Sequence, residues 1–142
     1  MDRKAEARWG GDLKSGRGNV KLGSGAYEGP YSFQSRFDTG GGSNPEELLG
    51  AAHAACFSMA LAAALSSAGH PPTSIDTTAT VHLEKGDAGF GISGIDLVTR
   101  GVVPGVDAET FIRLATETKT NCIISRALAA VPMQLDAQLV SA

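Results

Sequence analysis

The strongest hydrophobic signal in this 142-residue chain is a run over residues 48–68, apolar on nearly every side and interrupted only by His53, Ser58, Ser66 and Ser67. Its start is well marked. Asn44 suits an N-cap, Pro45 the first helical position where its missing N–H costs nothing, and Glu47 the third, completing a capping-box-like arrangement. Glu46 and Glu47 also complement the positive end of the helix dipole, and Gly69-His70-Pro71-Pro72 supplies the stop. The pattern predicts one long helix. A helix apolar all round must be covered on most of its circumference, and so short a chain has little left to cover it. That points to a dimer sandwiching the helix.

The flanking segments alternate instead. Residues 74–83 set Ile75, Thr77, Ala79, Val81 and Leu83 against Asp76, Thr78, Thr80 and His82, the period of a half-buried strand. A turn at 86–89 leads into a second strand over 90–103, ended by Pro104-Gly105. Residues 107–120 read as an amphipathic helix with Phe111, Ile112, Leu114 and Ala115 as its core side. A further helical turn over 123–130 follows Cys122, and 133–140 alternate as a closing strand. Ahead of the long helix, 5–9 and 18–22 read as strands. Tyr31, Phe33 and Phe37 suggest another extended piece with one aromatic face, and Gly40-Gly41-Gly42-Ser43 a sharp reversal. The order is strands, long helix, strands, helix, strand. It predicts an α+β fold, a single domain over 1–142 with antiparallel sheets around the central apolar helix.

Composition narrows the class. Hydrophobic residues are 42% and charged ones 19%, so the chain is neither disordered nor built to span a bilayer. Fifteen acids against twelve bases leave a net charge of -3, and no global field favours nucleic acid or an anionic membrane. Ten of the 18 glycines fall in the first 42 residues, which favours short strands and turns there. The first ten residues hold no apolar run of the signal-peptide kind, and two cysteines are too few for a disulfide scaffold. A reducing cytoplasm is the expected compartment.

Candidate chemistry centres on those thiols. Cys56 lies on the apolar helix, where a thiol is either a small hydrophobe or, given a nearby cation, a reactive thiolate. Arg36 is the one arginine on the approach to that helix. Cys122 falls either at a helix N-terminus, where the dipole lowers a thiol's pKa, or inside a helix from Asp107 that merely runs on. His53, three residues before Cys56 on the same face, is either a hydrogen-bonded core or interface histidine or, with both cysteines, part of a Cys₂His zinc site. Gly40-Gly41-Gly42 lacks the Lys-Ser/Thr of a P-loop, and no Gly-x-Ser-x-Gly elbow is present.

Asn44-Pro45-Glu46-Glu47-Leu48-Leu49 followed by Ala51-Ala52-His53-Ala54-Ala55-Cys56-Phe57-Ser58-Met59-Ala60 resembles the central helix of the OsmC/Ohr family, the osmotically inducible and organic hydroperoxide resistance proteins. Trp9-Gly10-Gly11-Asp12, Ser35-Arg36-Phe37, residues 73–79, Asp87-Ala88-Gly89-Phe90 and Val103-Pro104-Gly105 resemble its OsmC branch in the same order. The resemblance implies a thiol peroxidase that reduces organic hydroperoxides to alcohols, working without cofactor or metal as an intertwined homodimer. By position it implies that Cys56 is the peroxidatic cysteine, Cys122 the resolving one, Arg36 the arginine stabilising the thiolate and Glu46 the carboxylate holding that arginine. Cys56 becomes a sulfenic acid, condenses with Cys122 to a disulfide, and is reset by an external dithiol such as a lipoylated protein.

Glu46 and Cys56 are ten residues apart on one expected helix, about 15 Å along its axis. They cannot share a site within one chain, so Glu46 is expected from the partner subunit. Phe57, Met59, Leu61 and Phe37 are the expected apolar lining. One departure stands out: the family usually follows its second cysteine with Pro-Val-Ser, whereas here Ile123-Ile124-Ser125 follows Cys122, and Asn121 replaces the common Gly. Two other readings compete with the peroxidase, a non-catalytic stress module holding a small apolar ligand and the zinc site.

Overall fold

The computed structural model describes residues 1–141 and divides into two compact units, Met1–Leu48 and the chain from Leu49 onward. In the first, β1 (Ala5–Gly10), β2 (Arg17–Leu22) and β3 (Glu28–Tyr31) form an antiparallel sheet in chain order. The register lines up Trp9, Gly18 and Tyr31 across it. The Trp9 and Tyr31 rings approach with centroids 5.4 Å apart, and a Cβ on Gly18 would run into the Tyr31 ring. A glycine in mid-strand is thus a packing requirement.

The extended aromatic piece expected over Tyr31, Phe33 and Phe37 is not one strand. Only Tyr31 is extended. Ser32 caps a short helix, α1 (Phe33–Phe37): its hydroxyl accepts from the Ser35 N–H, and the Ser35 hydroxyl accepts from the Ser32 N–H. Once that cap sets a helix, Phe33 and Phe37 lie one turn apart with ring centroids 4.8 Å apart. Their shared face follows a period of four, not two.

The long helix α2 (Pro45–Ser67) begins at the expected cap, with Asn44 Oδ1 accepting from the Glu47 N–H at 2.8 Å. It ends at Gly69, whose φ of 86° suits glycine, while the His70 N–H returns to the Leu65 carbonyl. α2 is long and apolar enough to cross a membrane by length and composition. Within the chain it buries a single stripe, Gly50, His53, Phe57, Leu61 and Leu65. Met59, on another side, is 75% exposed.

That stripe joins a core built on the second sheet. β4 (Ser74–Gly86) and β5 (Gly89–Val102) form a hairpin whose pairing shifts at His82/Leu83. Ile75, Thr77, Ala79 and Val81 turn partly inward while Asp76, Thr78 and Thr80 stay exposed, as the alternation predicts. The Ser58 hydroxyl donates to Thr77 Oγ1 at 2.8 Å, a polar rivet between α2 and the sheet. β6 (Met133–Leu139) pairs with β5 in parallel, which corrects the expectation of antiparallel sheets throughout. The reason lies in α3 (Ala108–Asn121) and α4 (Ile123–Ala127), which separate the two strands and provide the crossover a parallel pair requires. α3 buries Phe111, Leu114, Ala115 and Thr118. Ile112, expected among them, is exposed, because the buried positions follow i, i+3, i+4, i+7 from Phe111.

Candidate active site

In the N-terminal unit, the last turn of α1 and the first turn of α2 bring together two of the expected residues. Arg36 Nε donates to both carboxylate oxygens of Glu46 at 3.1 and 3.2 Å, and its Nη2 donates to Oε1 at 2.7 Å. Such a forked contact fixes the plane of the guanidinium as well as its position. Asn44 adds to the alignment: while capping α2 it donates through Nδ2 to the Ser35 carbonyl in α1, at 3.1 Å. The guanidinium carbon lies 5.2 Å from the Phe37 ring centroid. Beside it opens a cavity of about 250 Å³ lined by Trp9, Leu13, Tyr31, Ser32, Phe33, Arg36, Phe37 and Pro45.

The C-terminal unit brings together the two thiols. Cys56 and Cys122, 66 positions apart in sequence, hold their sulfurs at 3.1 Å. Both are free, Cys122 only 2% exposed and Cys56 half-buried. Cys122 is at once the residue that ends α3 and the one that begins α4; its N–H donates to the Thr118 carbonyl and its own carbonyl accepts from the Arg126 N–H, each at 2.9 Å. The thiol pair therefore sits at the start of α4. Burial pushes the Cys56 thiol up, and the neighbouring Cys122 adds to this; the N–H groups of Ile124 and Ile123 act the other way. For Cys122, burial also raises the pKa. The Ser125 N–H, the Cys56 thiol, the Ser125 hydroxyl and the Ile124 N–H together outweigh it, and the net shift is downward.

His53 is sealed from water, with Nε2 2.8 Å from Ser125 Oγ. Its ring serves a hydroxyl in the core, and among the described residues no group of three His, Cys, Asp or Glu side chains converges as a metal site would need. This removes the geometric basis of the Cys₂His reading. Phe57 and Leu61 do not line a site, contrary to expectation: both are fully buried against the second sheet, since they fall on the same helical stripe as His53. Ser125 and the aromatic cavity of Trp9, Tyr31 and Phe33 were not singled out from sequence. A serine three residues after a helix-capping cysteine is the signal that could have marked Ser125.

A family model described as OsmC-like protein matches residues 38–136, and the chain is 51% identical over 142 residues to Peroxiredoxin OsmC of Escherichia coli strain K12, covering 99% of each. The chain belongs to the OsmC family. Like that relative, it is an enzyme of the peroxidase type. Among solved structures, this OsmC-family protein is similar to OhrB, the organic hydroperoxide resistance protein of Bacillus subtilis. The TM-score is 0.77 at 25% identity, over 97% of this chain and 98% of that one. An organic hydroperoxide resistance protein from Elizabethkingia anophelis, crystallised with thiocyanate bound, shares the fold with a TM-score of 0.72 at 24% identity, over 100% of this chain and 99% of that one.

Proposed function

We propose that this protein reduces organic hydroperoxides to alcohols, with Cys56 as the attacking thiol and Cys122 as the resolving one. The observation that carries the reading is the pair of free thiols held 3.1 Å apart where α4 begins. A Cys56 thiolate attacks the distal peroxide oxygen, the O–O bond breaks, and the alkoxide leaves as alcohol after taking up a proton. Cys56 is then a sulfenic acid. The Cys122 sulfur displaces its hydroxyl as water, leaving a disulfide, and an external dithiol, for which a lipoyl group is suited, returns both thiols by exchange.

Cys56 needs help to ionise, because within one chain its surroundings push its pKa up. A cation would reverse that, and Arg36, already oriented by Glu46, is the one we assign. Glu46 and Cys56 lie ten residues apart on the single helix Pro45–Ser67, about 15 Å along its axis. Since Arg36 is clamped to Glu46, we read both as supplied to Cys56 by a second copy of the chain, in a homodimer that also covers the exposed side of α2 around Met59. We read the two units as one OsmC-like domain, because α2 runs without a break from one into the other and the family match spans both. The cavity beside Arg36 suits the organic part of the substrate, and a reducing cytoplasm suits a cycle that needs free thiols.

The test is treatment of the reduced protein with one equivalent of cumene hydroperoxide followed by intact mass spectrometry. The expected result is a loss of about 2 Da per chain, the two hydrogens given up in disulfide formation, with no change in a Cys56→Ser variant. An unchanged mass with both thiols still titratable would overturn the reading.

A further inference from the structure

The thiol pair is not the only link between α2 and α4. His53 Nε2 meets Ser125 Oγ at 2.8 Å, and both side chains are buried. His53 stands three residues before Cys56, and Ser125 three residues after Cys122, which caps α4. The two links therefore join the same two helices one turn apart, like neighbouring rungs of an antiparallel ladder. Among the described residues no other hydrogen bond joins α2 to α4. α4 depends on such support: it has five residues, its start has no side-chain cap, and so short a helix does not hold itself in water. The direction of the bond follows from the other ring nitrogen. His53 Nδ1 is buried with no hydrogen-bond partner, and a buried N–H without an acceptor is rarer and costlier than a buried lone pair without a donor. The ring proton accordingly belongs on Nε2, which donates it to Ser125.

We propose that His53 is a positioning residue for disulfide closure: by holding Ser125 it keeps α4 docked on α2, and so keeps the Cys122 sulfur within reach of Cys56. It acts through α4 rather than on either sulfur. Without this rung α4 samples positions in which the sulfurs stand apart, and the disulfide closes only from the fraction in which they meet. The catalytic part of the inference rests on the peroxidase reading above. There the Cys122 sulfur forms the S–S bond with Cys56 as the S–O bond of the sulfenic acid breaks; the departing hydroxide takes up the Cys122 proton and leaves as water, so no further oxidant is consumed. The coupling is reciprocal, since whatever the rung lends to the disulfide, the disulfide lends to the rung.

The experiment measures the nearness of the two sulfurs without peroxide. The full chain is equilibrated at neutral pH in mixtures of reduced and oxidised glutathione, quenched with acid, and its thiol and disulfide forms are resolved by intact mass spectrometry. One S–S bond forms between Cys56 and Cys122 as that of oxidised glutathione breaks, and two glutathione thiols carry off the protons. The equilibrium constant is then the effective concentration of one protein thiol at the other. His53→Phe and Ser125→Ala should each lower it about tenfold, and the double variant by no more than either alone, because all three lack the same rung. His53→Gln, which can offer an amide N–H in place of Nε2–H, should recover part of the loss. Ser58→Ala removes the 2.8 Å bond from α2 to Thr77 instead and should leave the value at the parent's. In single turnovers with cumene hydroperoxide, His53→Phe and Ser125→Ala should consume peroxide at the parent rate yet accumulate a dimedone-trappable sulfenic acid. Ser125→Ala removes only one oxygen, so it decides the matter should His53→Phe not fold. An effective concentration unmoved in folded Ser125→Ala overturns the proposal, as does an equal fall in Ser58→Ala, a multiplied fall in the double variant, or a parent that forms no disulfide in these mixtures. A chain inert to peroxide that still shows the fall upholds the rung and overturns the peroxidase reading alone.

Discussion

A histidine sealed from water has its charged form penalised, and burial holds the His53 pKa below its ordinary value of 6.5. In the unfolded chain the ring regains that ordinary value, so below it the unfolded state binds a proton the native state refuses. Stability contributed by the neutral ring is therefore fully present above the unfolded value and lost as pH falls through it. Urea unfolding from about pH 7.5 down to about pH 5 should show declining stability, and His53→Gln should flatten that decline. An equally steep pH dependence in the variant would refute the assignment. At this scale the sequence disclosed residue types and hid their company. His53 invited a zinc ligand as readily as a core histidine, because its partner lies 72 positions away in α4. Cys56 allowed an inert or a reactive reading, because its neighbour Cys122 lies 66 positions away in sequence.

Elements with strong local signals were legible. The cap at Asn44, the glycine after α2, the alternation of β4 and the turn before β5 are decided within a few residues, and they read correctly. Two misreadings share a cause. The aromatic spacing of α1 fits a bent strand until the Ser32 cap is recognised, and the parallel pairing of β6 depends on where two helices return the chain. The α3 crossover also makes a testable demand. Phe111 lies so close over Gly101 in β5 that a Cβ there would sit 2.6 Å from its Cζ and 3.1 Å from Ile75 Cδ1. Gly101→Ala should overpack this core and cost about 1–3 kcal/mol in chemical denaturation. A variant as stable as the parent would mean that α3 can lift from the sheet without cost.

For the whole molecule, the proposed division of labour between copies has the most consequence. If Arg36 and Glu46 serve the Cys56 of a second chain, two inactive proteins can repair each other. A Cys56→Ser chain still offers Arg36, and an Arg36→Ala chain still offers both thiols. Unfolded together and refolded, they should regain about a quarter of the parent peroxidase activity, since half the dimers are mixed and each holds one intact site. Activity staying at the level of the separate variants would place all four residues in one chain. Cys122, the joint between α3 and α4, adds a last consequence. Ile123, Ile124 and Ser125 open the helix that Cys122 begins, next to sulfurs whose electron density falls when the thiols become a disulfide. Those three N–H groups then form a built-in spectroscopic gauge of the catalytic cycle. Their proton resonances should move on oxidation, while amides of the N-terminal sheet stay still, so one NMR spectrum would report what fraction of the protein awaits its reductant.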